Sequence, residues 1–294
     1  MTRRERGAGY AMRGKAVLVT GGNSGIGKAT ATALAAAGAR TIITSRDEQR
    51  GQAAVDDIRR DSGSDAVEVM VLDLARLASV RDFCARFLAD HDRLDVLVNN
   101  AGGMQGTRQV TEDGYELTFQ VNHLGPFLLT NLLGDQLVAS KPARVVTVAS
   151  LAHKNATIDF DDLQCERCRY AGLSVYGRSK LANVLFAREL ARRLDGTGVT
   201  SNCLPPGTIR SGFGQDGDAD QLLRIGLFIA RPFFPGPQRG ARTVVYLAAS
   251  PEVEGVTGTY FVRCRPARTS AEGADDEAAR RLWEVSERLV GLAT

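Results

Sequence analysis

The chain has 294 residues, of which 44% are hydrophobic and 24% are charged, and its formal net charge is +3. These values are ordinary for a globular protein and exclude a disordered or fibrous one. The positive charge is small and forms no long basic stripe, which argues against nucleic acid as a partner. A spanning helix needs about 18 or more consecutive apolar residues, which the chain lacks, so we expect no membrane-spanning segment.

Five cysteines are scattered along the chain in a pattern that is not typical of a disulfide framework. Two of them, Cys165 and Cys168, form a C-x-x-C pair, but a zinc ribbon needs a second close pair. We therefore expect reduced thiols in a cytoplasmic protein, with no metal site. The other three are Cys84, Cys203 and Cys264.

Short β-branched runs alternate with amphipathic or alanine-rich stretches over most of the chain. Such alternation predicts right-handed βαβ units around a parallel sheet. We predict an α/β fold of the doubly wound Rossmann type, with a seven-stranded parallel sheet in a single domain. The domain covers residues 13–294 and follows a flexible tail at residues 1–12. The predicted strands are 15–20, 41–45, 67–73, 94–100, 143–150, 198–204 and 258–262, and the predicted helices are 25–37, 47–61, 76–90, 112–133, 175–194, 237–249 and 274–290.

The alternation is interrupted at residues 205–237, where a polar, glycine-rich stretch is followed by an apolar one with three prolines. A long irregular insertion is typical of an active-site lid, which we place at about residues 208–237. An apolar lid favours a small apolar aldehyde, ketone or alcohol as substrate. The alternatives are packing on the domain or on a second subunit, and shallow membrane association through the flanking Arg224 and Arg231.

The first predicted strand runs directly into TGGNSGIGKAT, in which Gly21, Gly25 and Gly27 are spaced G-x-x-x-G-x-G. Glycine permits a tight turn and lets backbone N–H groups approach a pyrophosphate at the start of the next helix. A glycine triplet alone is a weak signal. Between a strand and an alanine-rich helix, however, it predicts a dinucleotide-binding loop.

The choice of cofactor depends on the residue that ends the second predicted strand, about 20 residues beyond the last glycine. An acidic residue there binds the ribose 2′-hydroxyl of NAD(H), whereas a basic one accommodates the 2′-phosphate of NADP(H). Arg46 occupies this position, Asp47 is expected to point elsewhere, and Lys28 adds a second positive charge nearby. The sequence therefore favours NADP(H) over NAD(H), with a plainly solvated Arg46 as the alternative.

The stretch SVYGRSKLAN at residues 174–183 places Tyr176 four positions before Lys180. On a helix this spacing puts both side chains on one face, one turn apart. An ammonium group beside a phenol stabilises the phenolate, so we expect a lowered tyrosine pKa and a group able to act as acid or base near neutral pH. The alternative is that Tyr176 packs on the core while Lys180 points to water.

The order of these motifs resembles that of the short-chain dehydrogenase/reductase family, over roughly residues 13–265. TGGNSGIG resembles its glycine motif, VLDL its adenine-contacting segment, NNAG the turn after its fourth strand, and PPGT its nicotinamide-contacting stretch. QVNHLG, VTVASLAH and YGRSK resemble the segments that carry its catalytic residues. The cofactor-binding residues that this resemblance implies are Gly21, Asn23, Ser24, Gly25, Ile26, Gly27, Arg46, Asp73, Leu74, Asn99, Ala101, Gly102, Tyr176, Lys180, Pro206, Gly207 and Thr208.

The resemblance also implies four catalytic residues. Tyr176 would be the general acid or base, and Lys180 would hold the nicotinamide ribose. Ser150 would hydrogen-bond the substrate oxygen, and Asn122 would hold a water that resupplies the proton. The structural alternatives are that Asn122 bends a helix and that Ser150 caps a strand.

The phrases NHLGPFLLTNLL, VASLAHK and YGRSKLANVLFARELARRLDGTGVT resemble the retinol dehydrogenase-like branch of this family, as does the long gap between Ser150 and Tyr176. Membrane-bound members of that branch carry an N-terminal anchor, which this sequence lacks, so we expect a cytoplasmic enzyme. Many relatives pair through two helices, here those of Tyr176 and of residues 237–249, so a homodimer is a further expectation. The sequence departs from the branch at residues 205–207 and 211–212.

Two other classes of protein remain open. A cofactor-sensing protein that keeps the fold without turnover would not need Tyr176 or Lys180, so their presence counts against it. Epimerases and dehydratases of nucleotide sugars use a G-x-x-G-x-x-G loop, which this chain does not have. Of the nearby histidines, we expect His123 to pack or to point outward. We expect His153 to be a loop residue, with a position at the edge of the substrate pocket as the alternative.

Overall fold

A six-stranded parallel sheet is the centre of the computed structural model, which describes residues 10–206 and 236–292. The strands are β1 (Ala16–Val19), β2 (Arg40–Ser45), β3 (Val67–Val71), β4 (Val96–Asn99), β5 (Ala143–Val148) and β6 (Val199–Leu204). Their order across the sheet is β3-β2-β1-β4-β5-β6. The order reverses between β1 and β4, which is where ligands bind in doubly wound folds.

Helices cover both faces of the sheet. Leu34 and Ile58 are buried in an apolar cluster on one face, and Phe83 and Phe127 are buried in a second cluster on the other. These two layers confirm the predicted α/β fold. No helix in the described part of the chain is long and apolar enough to cross a membrane. The helices described are α1 (Gly25–Ala36), α2 (Glu48–Ser62), α3 (Leu77–Asp90), α4 (Leu117–Phe119), α5 (Gly125–Leu132), α6 (Gly134–Ala139), α7 (Gly172–Arg193), α8 (Pro237–Ala249) and α9 (Asp276–Leu289).

The single long helix predicted at residues 112–133 is wrong. The segment forms α4, a π-helix at Gln120–Leu124, and then α5. In the π-helix the N–H of Gly125 donates to a carbonyl five residues back. Pro126 has no N–H, so an α-helix through this point would leave the carbonyl of Asn122 without a donor. The proline therefore accounts for the wider turn, and this turn buries Asn122 completely.

The seventh strand predicted at residues 258–262 is also wrong, because this segment makes a single parallel bridge to β6. The side chain of Asn202 adds two hydrogen bonds to the main-chain bonds beside that bridge. Its Nδ2 donates to the carbonyl oxygen of Val256 at 2.6 Å, and its Oδ1 accepts from the N–H of Thr259 at 3.0 Å.

The chain then turns back instead of extending the sheet. Arg263 and Cys264 have left-handed φ angles of 51° and 62°, which reverse its direction. The result is a two-residue antiparallel pair, β7 (Phe261–Val262) with β8 (Arg265–Pro266). Six strands are therefore found in the sheet where seven were expected.

Cys165 and Cys168 form a disulfide, so the expectation of reduced thiols is wrong for this pair. The Asp162 carboxylate accepts hydrogen bonds from the N–H groups of Glu166, Arg167 and Cys168, at 2.8, 3.2 and 2.9 Å. This turn brings the two cysteine Cα atoms to 5.1 Å, within reach of a disulfide. The remaining three cysteines are free thiols.

The ordered domain begins earlier than predicted. Tyr10 and Met12, which the sequence assigned to a flexible tail at residues 1–12, pack on the core. Met12 is 5% exposed, and its N–H donates to the carbonyl oxygen of Ala37 at 3.0 Å. The tail prediction is therefore wrong for these residues.

Candidate active site

The glycine-rich turn lies between β1 and α1, where the strand order reverses. Gly21 and Gly25 have left-handed φ angles of 64° and 54°, which glycine adopts without strain. The N–H of Gly21 donates to Thr44 Oγ1 on β2 at 3.2 Å and holds the turn against that strand. A Cβ atom at Gly27 would lie 2.3 Å from the Gly21 carbonyl oxygen and 2.6 Å from Asn100 Nδ2, so this position has room for glycine only.

The first turn of α1 follows the glycine turn directly. Ser24 is its N-cap residue, is exposed, and makes no side-chain cap hydrogen bond. Asn23, Gly25 and Ile26 are half-buried beside it. The first N–H groups of a helix have no partner within the helix, and together with the helix dipole they favour a phosphate. The structure thus brings the predicted phosphate-binding residues together.

A second turn, after β4, is tied to the glycine turn. Thr20 Oγ1 accepts hydrogen bonds from the N–H groups of Asn100 and Ala101 at 2.9 and 3.0 Å. Asn100 Nδ2 donates to the Thr20 carbonyl oxygen at 2.8 Å. The side chain of Asn99 lies instead in the core, where its Nδ2 donates to Thr130 Oγ1 on α5 at 2.9 Å. Our sequence reasoning missed Thr20 and Asn100. The doubled asparagine at residues 99–100 was the available signal for Asn100.

Asp73 and Leu74 lie just after β3, at the same edge of the sheet. The Oδ1 atom of Asp73 accepts from the N–H of Ala75 at 3.0 Å, so the carboxylate braces a turn. Leu74 is buried, and its carbonyl oxygen would be 2.8 Å from a Cβ at Gly125. These contacts account for the positions of both residues, and the adenine contact of Asp73 stays a prediction.

Arg46 follows β2 directly and is exposed beside the glycine turn. It makes no ion pair among the described residues. Asp47 is the N-cap of α2, where its carboxylate accepts from the N–H of Arg50 at 2.8 Å. The Asp47 carboxylate is therefore held by the first turn of α2, whereas the Arg46 guanidinium is not held in this way. Lys28 is paired with Asp57 on α2, which neutralises the second positive charge that the sequence suggested.

Tyr176 lies near the start of α7, and Ser150 lies just after β5. Their side chains are hydrogen-bonded to each other. Burial raises the pKa of Tyr176, the hydrogen bond from Ser150 opposes it, and the net direction is upward. Lys180 Nζ lies 5.6 Å from the centroid of the tyrosine ring. The expected lowering of the tyrosine pKa is therefore wrong for this structure.

Lys180 is 3% exposed, which excludes the alternative that it points to water. Its Nζ donates to the carbonyl oxygen of Val148 on β5 at 3.2 Å. Burial lowers the pKa of its ammonium group to about 8, and it makes no ion pair within the described residues. Gly102 leaves room for this group, since a Cβ there would lie 3.0 Å from Lys180 Nζ and 2.8 Å from Asn122 Oδ1.

Both polar atoms of the Asn122 side chain are hydrogen-bonded. Oδ1 accepts from the N–H of Gly103 at 2.8 Å, and Nδ2 donates to the Gly103 carbonyl oxygen at 2.9 Å and to Ser179 Oγ at 2.8 Å. Ser179 Oγ donates in turn to the carbonyl oxygen of Tyr176 at 2.8 Å. Asn122 therefore joins the turn after β4 to α7. Ser179 is a positioning residue that our sequence reasoning missed, although it lies three residues after Tyr176.

The two histidines near these residues are both buried. His153 Nδ1 is hydrogen-bonded to the Ser150 carbonyl oxygen at 2.6 Å, and its ring packs on Tyr260 with centroids 5.1 Å apart. It is therefore a buried residue of a short 3₁₀-helix that supports Ser150, where we expected a loop residue. His123 Nε2 lies 2.8 Å from Ser286 Oγ on α9, and burial lowers the His123 pKa to about 3. It packs in the core, which was one of the two expectations for it.

The four predicted catalytic residues are thus linked by contacts near the carboxyl ends of β4 and β5. Asn122 and Lys180 flank Gly102. Lys180 lies beside the ring of Tyr176, which is hydrogen-bonded to Ser150. Pro206 is half-buried just after β6. Gly207, Thr208 and almost all of the predicted lid lie outside the described residues. Among the residues that the structure describes, no cluster of side chains could hold a metal ion.

The arrangement defines a class of protein: dinucleotide-dependent oxidoreductases that act on a CH–OH or carbonyl group. Residues 15–222 match the profile of the short chain dehydrogenase family. The chain belongs to this family and is an NAD(P)-dependent oxidoreductase acting on CH–OH groups.

The relatives place the chain in the retinol dehydrogenase-like part of the family. It is 47% identical to "Retinol dehydrogenase 14" of Homo sapiens, over 96% of this chain and 88% of that protein. Among solved structures it resembles an uncharacterized protein from Mycobacterium paratuberculosis, with 33% identity, a TM-score of 0.76 and coverage of 96% and 95%. It also resembles the RhlG/NADP active-site complex of Pseudomonas aeruginosa, with 28% identity, a TM-score of 0.67 and coverage of 85% and 95%.

Proposed function

We propose that this protein is an NADP(H)-dependent enzyme that interconverts an apolar aldehyde or ketone and its alcohol. The observation that carries the proposal is the hydrogen bond between Tyr176 and Ser150, next to the buried ammonium of Lys180. A nicotinamide cofactor, when bound, would supply or accept the hydride. The residues of this chain deliver the proton and orient the reacting groups.

Tyr176 donates a proton to the carbonyl oxygen during reduction and removes it from the alcohol during oxidation. Ser150 donates a hydrogen bond to the same oxygen, where negative charge develops. Because burial raises the pKa of Tyr176, its protonated form is favoured at rest. That form is the one that reduction requires.

Lys180 offers a buried ammonium group whose hydrogen-bonding capacity is only partly used by Val148. The hydroxyl groups of the nicotinamide ribose would accept the remaining hydrogen bonds. With a pKa of about 8, the amine is largely protonated near neutral pH. Its positive charge would favour the phenolate that Tyr176 becomes after proton transfer.

Asn122 supports proton resupply through its backbone. Its side chain is fully hydrogen-bonded to Gly103 and Ser179, so a relay water would bind elsewhere. Pro126 removes the α-helical donor for the Asn122 carbonyl oxygen. We propose that this carbonyl holds the water that links Lys180 to solvent.

The preference for NADP(H) is supported by Arg46. Its guanidinium is exposed beside the glycine turn and makes no ion pair with a described residue. Asp47, the acidic residue next to Arg46, is held as the N-cap of α2. The RhlG complex, a structural neighbour, contains NADP.

An apolar substrate is supported by the names of several relatives, such as "Retinol dehydrogenase 14", and by the apolar sequence of residues 222–236. Residues 222–235 of that segment lie outside the described residues. We also propose a cytoplasmic location and a homodimer through α7 and α8. Phe186 on α7 stacks on Trp283 of α9, at 5.8 Å between centroids, so this part of α7 is already covered within one chain.

The test is the oxidation of NADPH and of NADH, measured in parallel with purified protein and a panel of apolar aldehydes and ketones that includes retinal. We expect turnover that is faster with NADPH. Faster turnover with NADH would overturn the role of Arg46. Tight cofactor binding without turnover of any panel member would instead favour a cofactor-sensing protein that does no chemistry.

A further inference from the structure

A cavity of about 440 Å³ lies between the second half of α7, β6 and the chain segment before α9. Val184 and Arg188 of α7 line it, together with Cys203 of β6, Tyr260 and residues 267–271. None of its lining residues belongs to the proposed catalytic or cofactor-binding sets. Its volume is within the range of small-molecule sites, which is about 300–1,000 Å³.

The charge of this cavity favours an anion. Two arginines, Arg188 and Arg268, line it, and no acidic residue does. Arg188 Nε is paired with Asp276 Oδ1 at 2.5 Å. Arg268 is exposed and makes no ion pair with a described residue. One uncompensated guanidinium is therefore available at the rim.

The inner wall of the cavity is apolar, with one unsatisfied polar group. Val184, Ala187 and Tyr260 belong to a single buried cluster together with Cys203. Burial raises the pKa of the Cys203 thiol to about 12, so the thiol adds no charge. Tyr260 is 4% exposed, and its hydroxyl has no hydrogen-bond partner among the described residues. An oxygen atom of a ligand would give this hydroxyl a partner.

We propose that this cavity binds a small amphipathic monocarboxylate, at a site separate from the cofactor and the reacting carbonyl. The aliphatic part would pack on the cluster around Val184, and the carboxylate would bind the Arg268 guanidinium and reach the Tyr260 hydroxyl. The proposal is independent of the proposed catalytic activity, because it concerns binding at residues that the reaction does not use.

The experiment is isothermal titration calorimetry of the NADPH-saturated protein with sodium octanoate. Two charge reversals are compared, Arg268→Glu in the cavity and Arg265→Glu on β8. Arg265 is also exposed but does not line the cavity. We expect Arg268→Glu to weaken octanoate binding at least tenfold and Arg265→Glu to change it less than twofold. Tyr260→Phe, which keeps the ring, is expected to weaken binding about threefold.

Octanol, which has the same chain without the charge, is expected to bind at least tenfold more weakly than octanoate. The absence of octanoate binding up to millimolar concentrations would overturn the proposal. Equal weakening by both arginine variants would also overturn it, since that result would indicate a general charge effect. If octanoate binds but neither Arg268→Glu nor Tyr260→Phe changes its affinity, the carboxylate binds at another site and the proposal is wrong.

Discussion

The glycine turn and the surroundings of Lys180 lie at the same edge of the sheet but are built in opposite ways. The turn is made of backbone so closely packed that an added Cβ at Gly27 would come within 2.3 Å of a carbonyl oxygen. The cluster around Lys180 is made of buried polar side chains, with a positive charge that no described carboxylate balances. The first region should therefore be sensitive to an added atom, and the second to the loss of a polar group or a charge.

The largest effect is expected from Tyr176→Phe. Removing the phenolic hydroxyl takes away the general acid but leaves the ring in place, so kcat should fall about a thousandfold. NADPH affinity should change little. Steady-state kinetics and fluorescence titration measure these two quantities. Tyr246→Phe on α8, whose hydroxyl bonds Glu252 at 3.1 Å, is the control and should leave kcat unchanged. Near-normal turnover by Tyr176→Phe would show that the cluster around Lys180 is structural.

Lys180→Met tests how much the buried charge of Lys180 destabilises the folded protein. The folded protein lowers the pKa of Lys180 from 10.5 to about 8. Its charged form is thus disfavoured in the folded state. The free energy of unfolding is reduced by the full amount below about pH 8 and is not reduced above about pH 10.5. A fall of that size corresponds to roughly 3 kcal/mol, at about 1.4 kcal/mol per tenfold change.

The free energy of unfolding of the cofactor-free wild type should therefore rise between about pH 8 and pH 10.5 relative to that of Lys180→Met. Urea unfolding of both proteins across this range measures the difference, and the other titrating groups cancel in the comparison. Parallel pH profiles would mean that the buried charge costs nothing, which would contradict the contrast drawn between the two regions.

Gly27→Ala tests the steric limit of the glycine turn. An added methyl group must displace the Gly21 carbonyl or the Asn100 side chain, at a cost of about 1–3 kcal/mol. If that strain falls on the phosphate-binding turn, the dissociation constant for NADPH should rise about thirtyfold. Gly134→Ala is the matched control, because its Cβ would meet nothing within 4 Å. Unchanged affinity in Gly27→Ala would show that the turn adapts.

The smallest effect is expected from Arg46→Asp, which alters charge at the edge of the turn without touching its backbone. The ratio of kcat/KM for NADPH to kcat/KM for NADH should fall about tenfold or more, because a charge-assisted hydrogen bond to the 2′-phosphate is lost. Arg280→Asp, at an exposed arginine of α9, should leave the ratio unchanged. An unaltered ratio in Arg46→Asp would mean that Arg46 is only solvated.

The parts of the fold that the sequence predicts correctly are those that local patterns determine. The glycine turn follows from residue types at fixed spacing, and its left-handed angles fall at Gly21 and Gly25. The helix predicted at residues 112–133 fails because one proline changes the hydrogen bonding of a residue four positions earlier, without changing the apolar pattern. The missed disulfide depends on a turn that the Asp162 carboxylate builds, and no spacing rule for cysteines contains that information.

In the candidate site too, local spacing predicts some features, and others depend on the assembled fold. Spacing within one helix predicts that Tyr176 and Lys180 lie close together, and the structure places them so. Thr20 and Ser179 act through partners far away in the chain, which a linear motif does not reveal. The direction of the tyrosine pKa was missed because it depends on burial, and burial is a property of the assembled fold.

The outer edge of β6 is closed without a full seventh strand. Its main chain is satisfied by the bonds from Gly258 N–H to the Ser201 carbonyl oxygen at 2.8 Å and from Cys203 N–H to the Thr259 carbonyl oxygen at 3.2 Å, and Asn202 contributes its side chain. An open edge strand is a template onto which a second chain can add, and such addition leads to aggregation. Because this edge is already paired and β7 then turns away, the fold resists edge-to-edge association of sheets there at high protein concentration.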